Sequence, residues 1–132
     1  MAADEAMRAA DLHEVLAEIL PVELSEDSAL TVGHDGTFAS LRPVTIADGL
    51  QMVALTQMLA WDLPLDDDLR GTVTEQAGKT TLGTVSLVAR GDQADVVLRY
   101  NFPAGGLSDS ALQTLVMLVL ATGAEVRRIV AG

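Results

Sequence analysis

The stretch Leu82 to Phe102 constrains this chain more than any other, because it reads as two strand-like runs split by Arg90-Gly91-Asp92-Gln93. In the second run Val96, Leu98, Tyr100 and Phe102 alternate with Asp95, Arg99 and Asn101. A period of two sends the apolar set to one face and the polar set to the other, which predicts an antiparallel hairpin with one face in a core.

Helical periodicity brackets this hairpin. Within Ala3 to Leu20, the residues Leu12, Val15, Leu16, Ile19 and Leu20 recur at helical spacing, with Asp11, Glu14 and Glu18 on the other side and Pro21 ending the run. Asp66-Asp67-Asp68 stands where a second helix would begin. One acid can cap free N–H groups while the others face the positive end of the dipole, and the helix reaches about Gly78. Pro103 to Gly106 breaks the last strand, and Ser108 or Asp109 caps a final helix reaching about Val130. At 100° per residue, Leu112, Leu115, Val116, Val119, Gly123, Val126 and Val130 gather in one arc, the expected core face. Met117, Leu118, Leu120, Ala121 and Ala124 carry apolar surface around the flank of the same helix, which predicts a cover on more than one side.

The first half holds a further hairpin, Ala29 to Gly33 with Thr37 to Arg42, turned at His34-Asp35-Gly36. Arg42-Pro43 then favours extended backbone or a turn. Leu50 to Trp61 is open between helix and strand: Leu, Gln, Met and Ala are good helix formers, and Leu50, Val53, Met58 and Trp61 also fit a helical face.

At 132 residues there is room for one domain over positions 1–132, burying roughly two-thirds of its unfolded surface. Only four residues are aromatic, so branched aliphatics must fill the core. The net charge of −11, with no basic stripe, argues against nucleic acid and against anionic membrane surfaces. With no cysteine there are no disulfides, thiolate nucleophiles or cysteine metal sites. Met1 to Ala10 carries Asp4 and Glu5 and has no apolar core of a signal peptide, and Ala111 to Ala124 is too short to span a bilayer. The cytoplasm is the expected address.

No catalytic or cofactor motif is complete. Gly78-Lys79-Thr80 matches the end of a phosphate-binding loop, but Val73 stands where the first glycine is needed and a helix, rather than a strand, precedes it. Asp62 with Asp66, Asp67 and Asp68 is rich in oxygen ligands but lacks the spacing and glycine of a calcium loop. His13 and His34 lack a second ligand pattern, and Gly83-Thr84-Val85-Ser86-Leu87 lacks the second glycine of a nucleophile elbow. No enzyme activity, no cofactor and no metal are expected. Met52, Met58 and Met117 are polarizable side chains that either fill gaps in a ring-poor core or serve an adaptable surface.

The order of elements resembles the YbjN family and the related type III secretion chaperone-like proteins. Leu82-Gly83-Thr84-Val85-Ser86-Leu87-Val88, Ala94-Asp95-Val96-Val97-Leu98-Arg99-Tyr100, and Phe102-Pro103 leading into the helix from Leu107 carry the resemblance. It implies an α+β fold: a twisted antiparallel sheet of about five strands with packed helices, in the order α-β-β-β-α-β-β-α. On that template Gln51 to Ala60 is the third strand. Chaperones of this fold are small, acidic, commonly homodimeric, and bind extended client segments without hydrolysing ATP; YbjN-like members are described as candidate regulators of signalling.

The expectation is a non-enzymatic peptide- or protein-binding, chaperone-like domain that forms a homodimer and takes an unidentified polypeptide. Met117, Leu120, Ala121 and Ala124 on the flank of the last helix are its expected partner-binding or dimer surface. The alternative is a small-molecule-sensing or signalling-regulatory domain with a cavity between sheet and helices.

Overall fold

The computed structural model describes residues 8–131. Three helices and six strands follow in the order α1 (Ala9–Leu16), β1 (Glu23–Leu24), β2 (Leu30–His34), β3 (Thr37–Ala47), β4 (Leu50–Pro64), α2 (Asp67–Lys79), β5 (Thr84–Arg90), β6 (Gln93–Pro103) and α3 (Asp109–Ala131). All strands join one antiparallel sheet in the spatial order β1-β2-β3-β4-β6-β5. The sheet has six strands rather than about five, because the short segment Glu23–Leu24 pairs with Thr31 and Leu30 as an additional edge strand.

Leu50 to Trp61 lies within β4, a strand. Its period of two is real: Val53, Leu55, Gln57 and Leu59 are buried, while Met52, Ala54, Thr56 and Met58 are half-buried on the other face. The alternation is masked in the sequence because β4 is central and carries apolar side chains on both faces. Pro43 is accommodated within β3 because β2 has ended opposite Leu41, leaving that side of β3 an edge.

Local chemistry sets the helix ends. The Asp66 carboxylate accepts the Leu69 N–H at 2.8 Å and caps α2, and the Ser108 hydroxyl accepts the Ala111 N–H at 3.1 Å before α3. Within the described residues α1 ends at Leu16, a turn short of the expected Leu20. Past Leu16 the chain bends, and Leu20 and Val22 both reach the interior. Residues 3–7 of the expected helix lie outside the described residues.

Buried rows run across one face of the sheet. Val32, Ala39, Gln57, Leu98 and Val85 form one, and Leu30, Leu41 and Leu55 the next, which ends on the half-buried Tyr100. The helices cover this face, with α3 against β4 and α2 against β5. Gln113 of α3 donates to the Val15 carbonyl and to Glu18, both at 2.9 Å, which ties α1 to the same layer.

Candidate partner-binding surfaces

The expected surface on the last helix divides in two. Leu120 is fully buried and Ala124 nearly so, whereas Ala121 is exposed and Met117 is half-buried against the core. Leu120 and Ala124 therefore belong to the interior. Because α3 lies on the sheet between α1 and α2, its buried arc is wider than packing on one side requires. The free stripe falls one position along, at Leu118, Ala121, Thr122, Glu125 and Ile129, with Leu118 53% and Ile129 44% exposed.

That stripe forms one wall of a groove of about 570 Å³, whose other wall is the end of α2, including Gln76, Lys79 and Thr80. Its charges are satisfied along the helices, Lys79 by Glu75 at 3.1 Å and Glu125 by Arg128. A smaller open depression of about 220 Å³ lies against Leu63, Asp66, Leu69 and Val130.

The second candidate is the sheet face turned away from the helices. Gly33, Phe38, Met58, Val97 and Ser86 form one row across it; Glu23, Thr31, Ser40, Thr56, Arg99 and Thr84 form the next. Phe38 is 61% exposed. Its ring lies 5.9 Å from that of Trp61, which the bulges between Met58 and Leu63 turn outward. Two of the four aromatic side chains thus sit on exposed surface, where sequence reasoning picked out only Met52 and Met58. The signal for Phe38 was its alternation with the buried Thr37 and Ala39.

Neither surface has a catalytic arrangement. The His13 Nε2 lies 3.2 Å from the Val22 carbonyl oxygen, and the His34 Nε2 lies 3.8 Å from Asp35. Asp66 serves as a cap and Asp67 pairs with Arg70. Among the described residues no group of three or more metal-ligating side chains converges. Gly78-Lys79-Thr80 is the C-terminus of α2, where the Thr80 hydroxyl donates to the Gln76 carbonyl. The ionised carboxylate of Asp95 is favoured first by hydrogen bonding from Arg90 at 2.6 Å and then by the Asp62 N–H, which hold it below the usual range. This is an ion pair on the sheet rather than a proton-transfer site. No helix among the described residues is long and apolar enough to cross a membrane.

Solved structures place the architecture. YbjN of E. coli, described as a candidate transcription regulator, superposes with a TM-score of 0.70 over 96% of this chain and 91% of its own, at 12% identity. The fold is YbjN-like. The Yersinia pestis type III secretion chaperone SycH, solved in complex with a stable fragment of YscM2, superposes at a TM-score of 0.54 with 13% identity, over 89% of this chain and 98% of its own. The chain thus has a chaperone-like fold of the kind seen in SycH. No protein-family model matches the sequence, and no curated protein matches it either.

Proposed function

We propose that this protein is a non-enzymatic, chaperone-like domain that binds a polypeptide along the groove between α2 and α3. The stripe of Leu118, Ala121, Thr122, Glu125 and Ile129 carries the reading, since it leaves two large aliphatic side chains in water beside a groove with polar walls. Positions 118, 122, 125 and 129 repeat every three or four residues along one line of the helix, with apolar anchors at its ends, Leu118 and Ile129, and polar Thr122 and Glu125 between them, a wall suited to an amphipathic segment. The SycH complex supports a polypeptide as the class of partner. A charge of −11 steers a basic segment toward the molecule and a phosphate backbone away from it, so any regulatory role runs through protein contact.

The test is fluorescence anisotropy with a labelled amphipathic peptide of alternating Leu and Lys turns. The wild-type chain should bind it, and the Leu118→Asp/Ile129→Asp double variant should bind at least about tenfold more weakly, the cost of placing charge against an apolar anchor. Equal binding by both would remove the groove as the site.

A further inference from the structure

We propose that Gln76 makes the groove between α2 and α3 selective for a partner helix that carries a carboxamide, a glutamine or asparagine side chain, among its apolar residues. That selectivity rests on the reading of the groove as a polypeptide site and specifies what the polypeptide must bring.

Leu69, Val73 and Gln76 form the buried side of α2, spaced four and three residues apart. An apolar residue at position 76 would complete that side, and a glutamine stands there instead. Among the described residues three polar side chains are buried, Thr37, Gln57 and Gln76. Thr37 and Gln57 bond to each other at 2.9 Å. Gln76 is 7% exposed, yet its side-chain amide makes no hydrogen bond to any described residue, and only its main-chain carbonyl is engaged, by the Thr80 hydroxyl. Neither amide atom is sealed in the interior, where Gln57 Oε1 is the one unpaired polar atom among the described residues. Gln76 lines the groove, and its amide reaches water there.

The helix directions give its place along the groove. Val130, at the end of α3, shares a depression with Leu69 and Thr72 from the first half of α2, whereas Leu118 shares the groove with Thr80, just past the end of α2. The two helices therefore run past each other in opposite directions, and Gln76 lies level with the stripe between Leu118 and Ile129.

A ligand that fills the groove shuts this amide off from water. Purely apolar cover would leave a buried donor and a buried acceptor unmet, which a binding site penalises heavily. The occupant must therefore supply an acceptor for Nε2 and a donor for Oε1. A helix lying along the stripe has its own backbone N–H and C=O groups bonded internally, so the pair must come from a side chain. A carboxamide presents one of each on a single planar edge and closes two hydrogen bonds with Gln76. A carboxylate only accepts and an ammonium only donates, so each leaves half of the amide unmet; a hydroxyl holds both functions on one oxygen and cannot span the two ends. The charges on the groove walls are already paired, Lys79 with Glu75 and Glu125 with Arg128, which leaves a neutral group as the one to be matched.

Two labelled amphipathic peptides of Leu and Lys turns, alike except for glutamine or leucine at the centre of the apolar side, are compared by fluorescence anisotropy. The wild-type chain should bind the glutamine peptide at least about tenfold more tightly, and a glutamate peptide no better than the leucine one. This comparison needs no variant of the protein. Gln76→Met keeps the length of the side chain and removes its donor and acceptor. It should leave the melting temperature within about 2 °C of wild type and bind the leucine peptide at least as tightly as the glutamine one. Equal binding of the two peptides by the wild-type chain would overturn the proposal while leaving the groove a polypeptide site. A preference for glutamine that persists in Gln76→Met would overturn it too, since another group would be reading the amide. Binding of neither peptide would remove the groove as a polypeptide site, and the selectivity with it.

Discussion

Gly123 of α3 rests directly on the side-chain amide of Gln57, so closely that a β-carbon at position 123 would overlap it. Gln57 is fully buried in the middle of β4. Its Nε2 donates to the Thr37 hydroxyl at 2.9 Å and to the Leu120 carbonyl at 3.1 Å, and Thr37 in turn donates to the His34 carbonyl at 2.6 Å. The amide oxygen has no hydrogen-bond partner in the structure. A polar chain thus links the β2–β3 turn, the central strand and the last helix. Gly123→Ala should destabilise by about 1–3 kcal/mol through overpacking. Combining it with Gln57→Ala should cost less than the two single changes added together, because removing the amide makes room for the methyl. Urea denaturation of the four proteins in the cycle measures this; strict additivity would mean that helix and strand do not meet as described.

Leu118 and Leu120 are two residues apart on one helix and should behave in opposite ways. Leu120 is fully buried among the sheet and helix side chains, so Leu120→Ala should cost about 2–5 kcal/mol. Leu118 projects into the groove, and Leu118→Ala should change stability by no more than about 0.5 kcal/mol. Chemical denaturation of both variants checks the assignment, and similar losses at the two positions would mean that the groove is closed in solution.

How far the sequence discloses this molecule depends on the range of the interactions involved. The Asp66 cap, the Ser108 cap and the hairpins at Gly36 and Gly91 rest on residues within a few positions of one another, and they are legible. Leu50 to Trp61 is not legible from periodicity, since Met52 and Met58 make the outer face of β4 nearly as apolar as the inner one. The resemblance, rather than the residues, favours a strand there. Leu120 is misplaced by helical projection because the projection contains no neighbours, and it is α1 and α2 flanking α3 that widen the buried arc. Nothing in the local pattern shows that Gln57, a polar residue at a core position of its strand, meets a glycine 66 positions later.

The Arg90 cluster makes a sign-definite prediction about pH. Asp95 ionises more readily in the folded chain than in the unfolded one, chiefly through hydrogen bonding from Arg90 and secondly through the Asp62 N–H. A depressed carboxylate stabilises the fold fully above its unfolded value, about 3.9, and that contribution is lost as pH falls through the folded value. Asp95→Asn should therefore lower the melting temperature at pH 7 by about 2–4 °C, with the deficit shrinking as pH drops below about 4. Thermal melts at pH 7 and pH 3 decide it. A deficit of the same size at both would assign the effect to hydrogen-bond geometry instead of charge.

Arg127 joins the last helix to the end of the outer face of the sheet. The register shift between Met58 and Ala60 leaves Leu59 at a bulge, and the Arg127 Nη1 donates to the Leu59 carbonyl at 2.7 Å. The same guanidinium stands 5.4 Å from the centroid of the Trp61 ring, whose other neighbour is Phe38. A planar, delocalised cation can make the bond and the stack together, which an ammonium on a flexible stem does less well. Arg127→Lys should therefore cost about 0.5–1 kcal/mol and Arg127→Ala about 1–2 kcal/mol, the latter losing both a charged hydrogen bond and a cation–π contact. Trp61 is the sole tryptophan, so its emission reports the stack without interference. Both variants should shift that emission before any unfolding occurs, the alanine variant more than the lysine one. A wild-type spectrum in the alanine variant would show that the guanidinium does not rest on the ring in solution, and the cost of the substitution would then come from the Leu59 carbonyl alone.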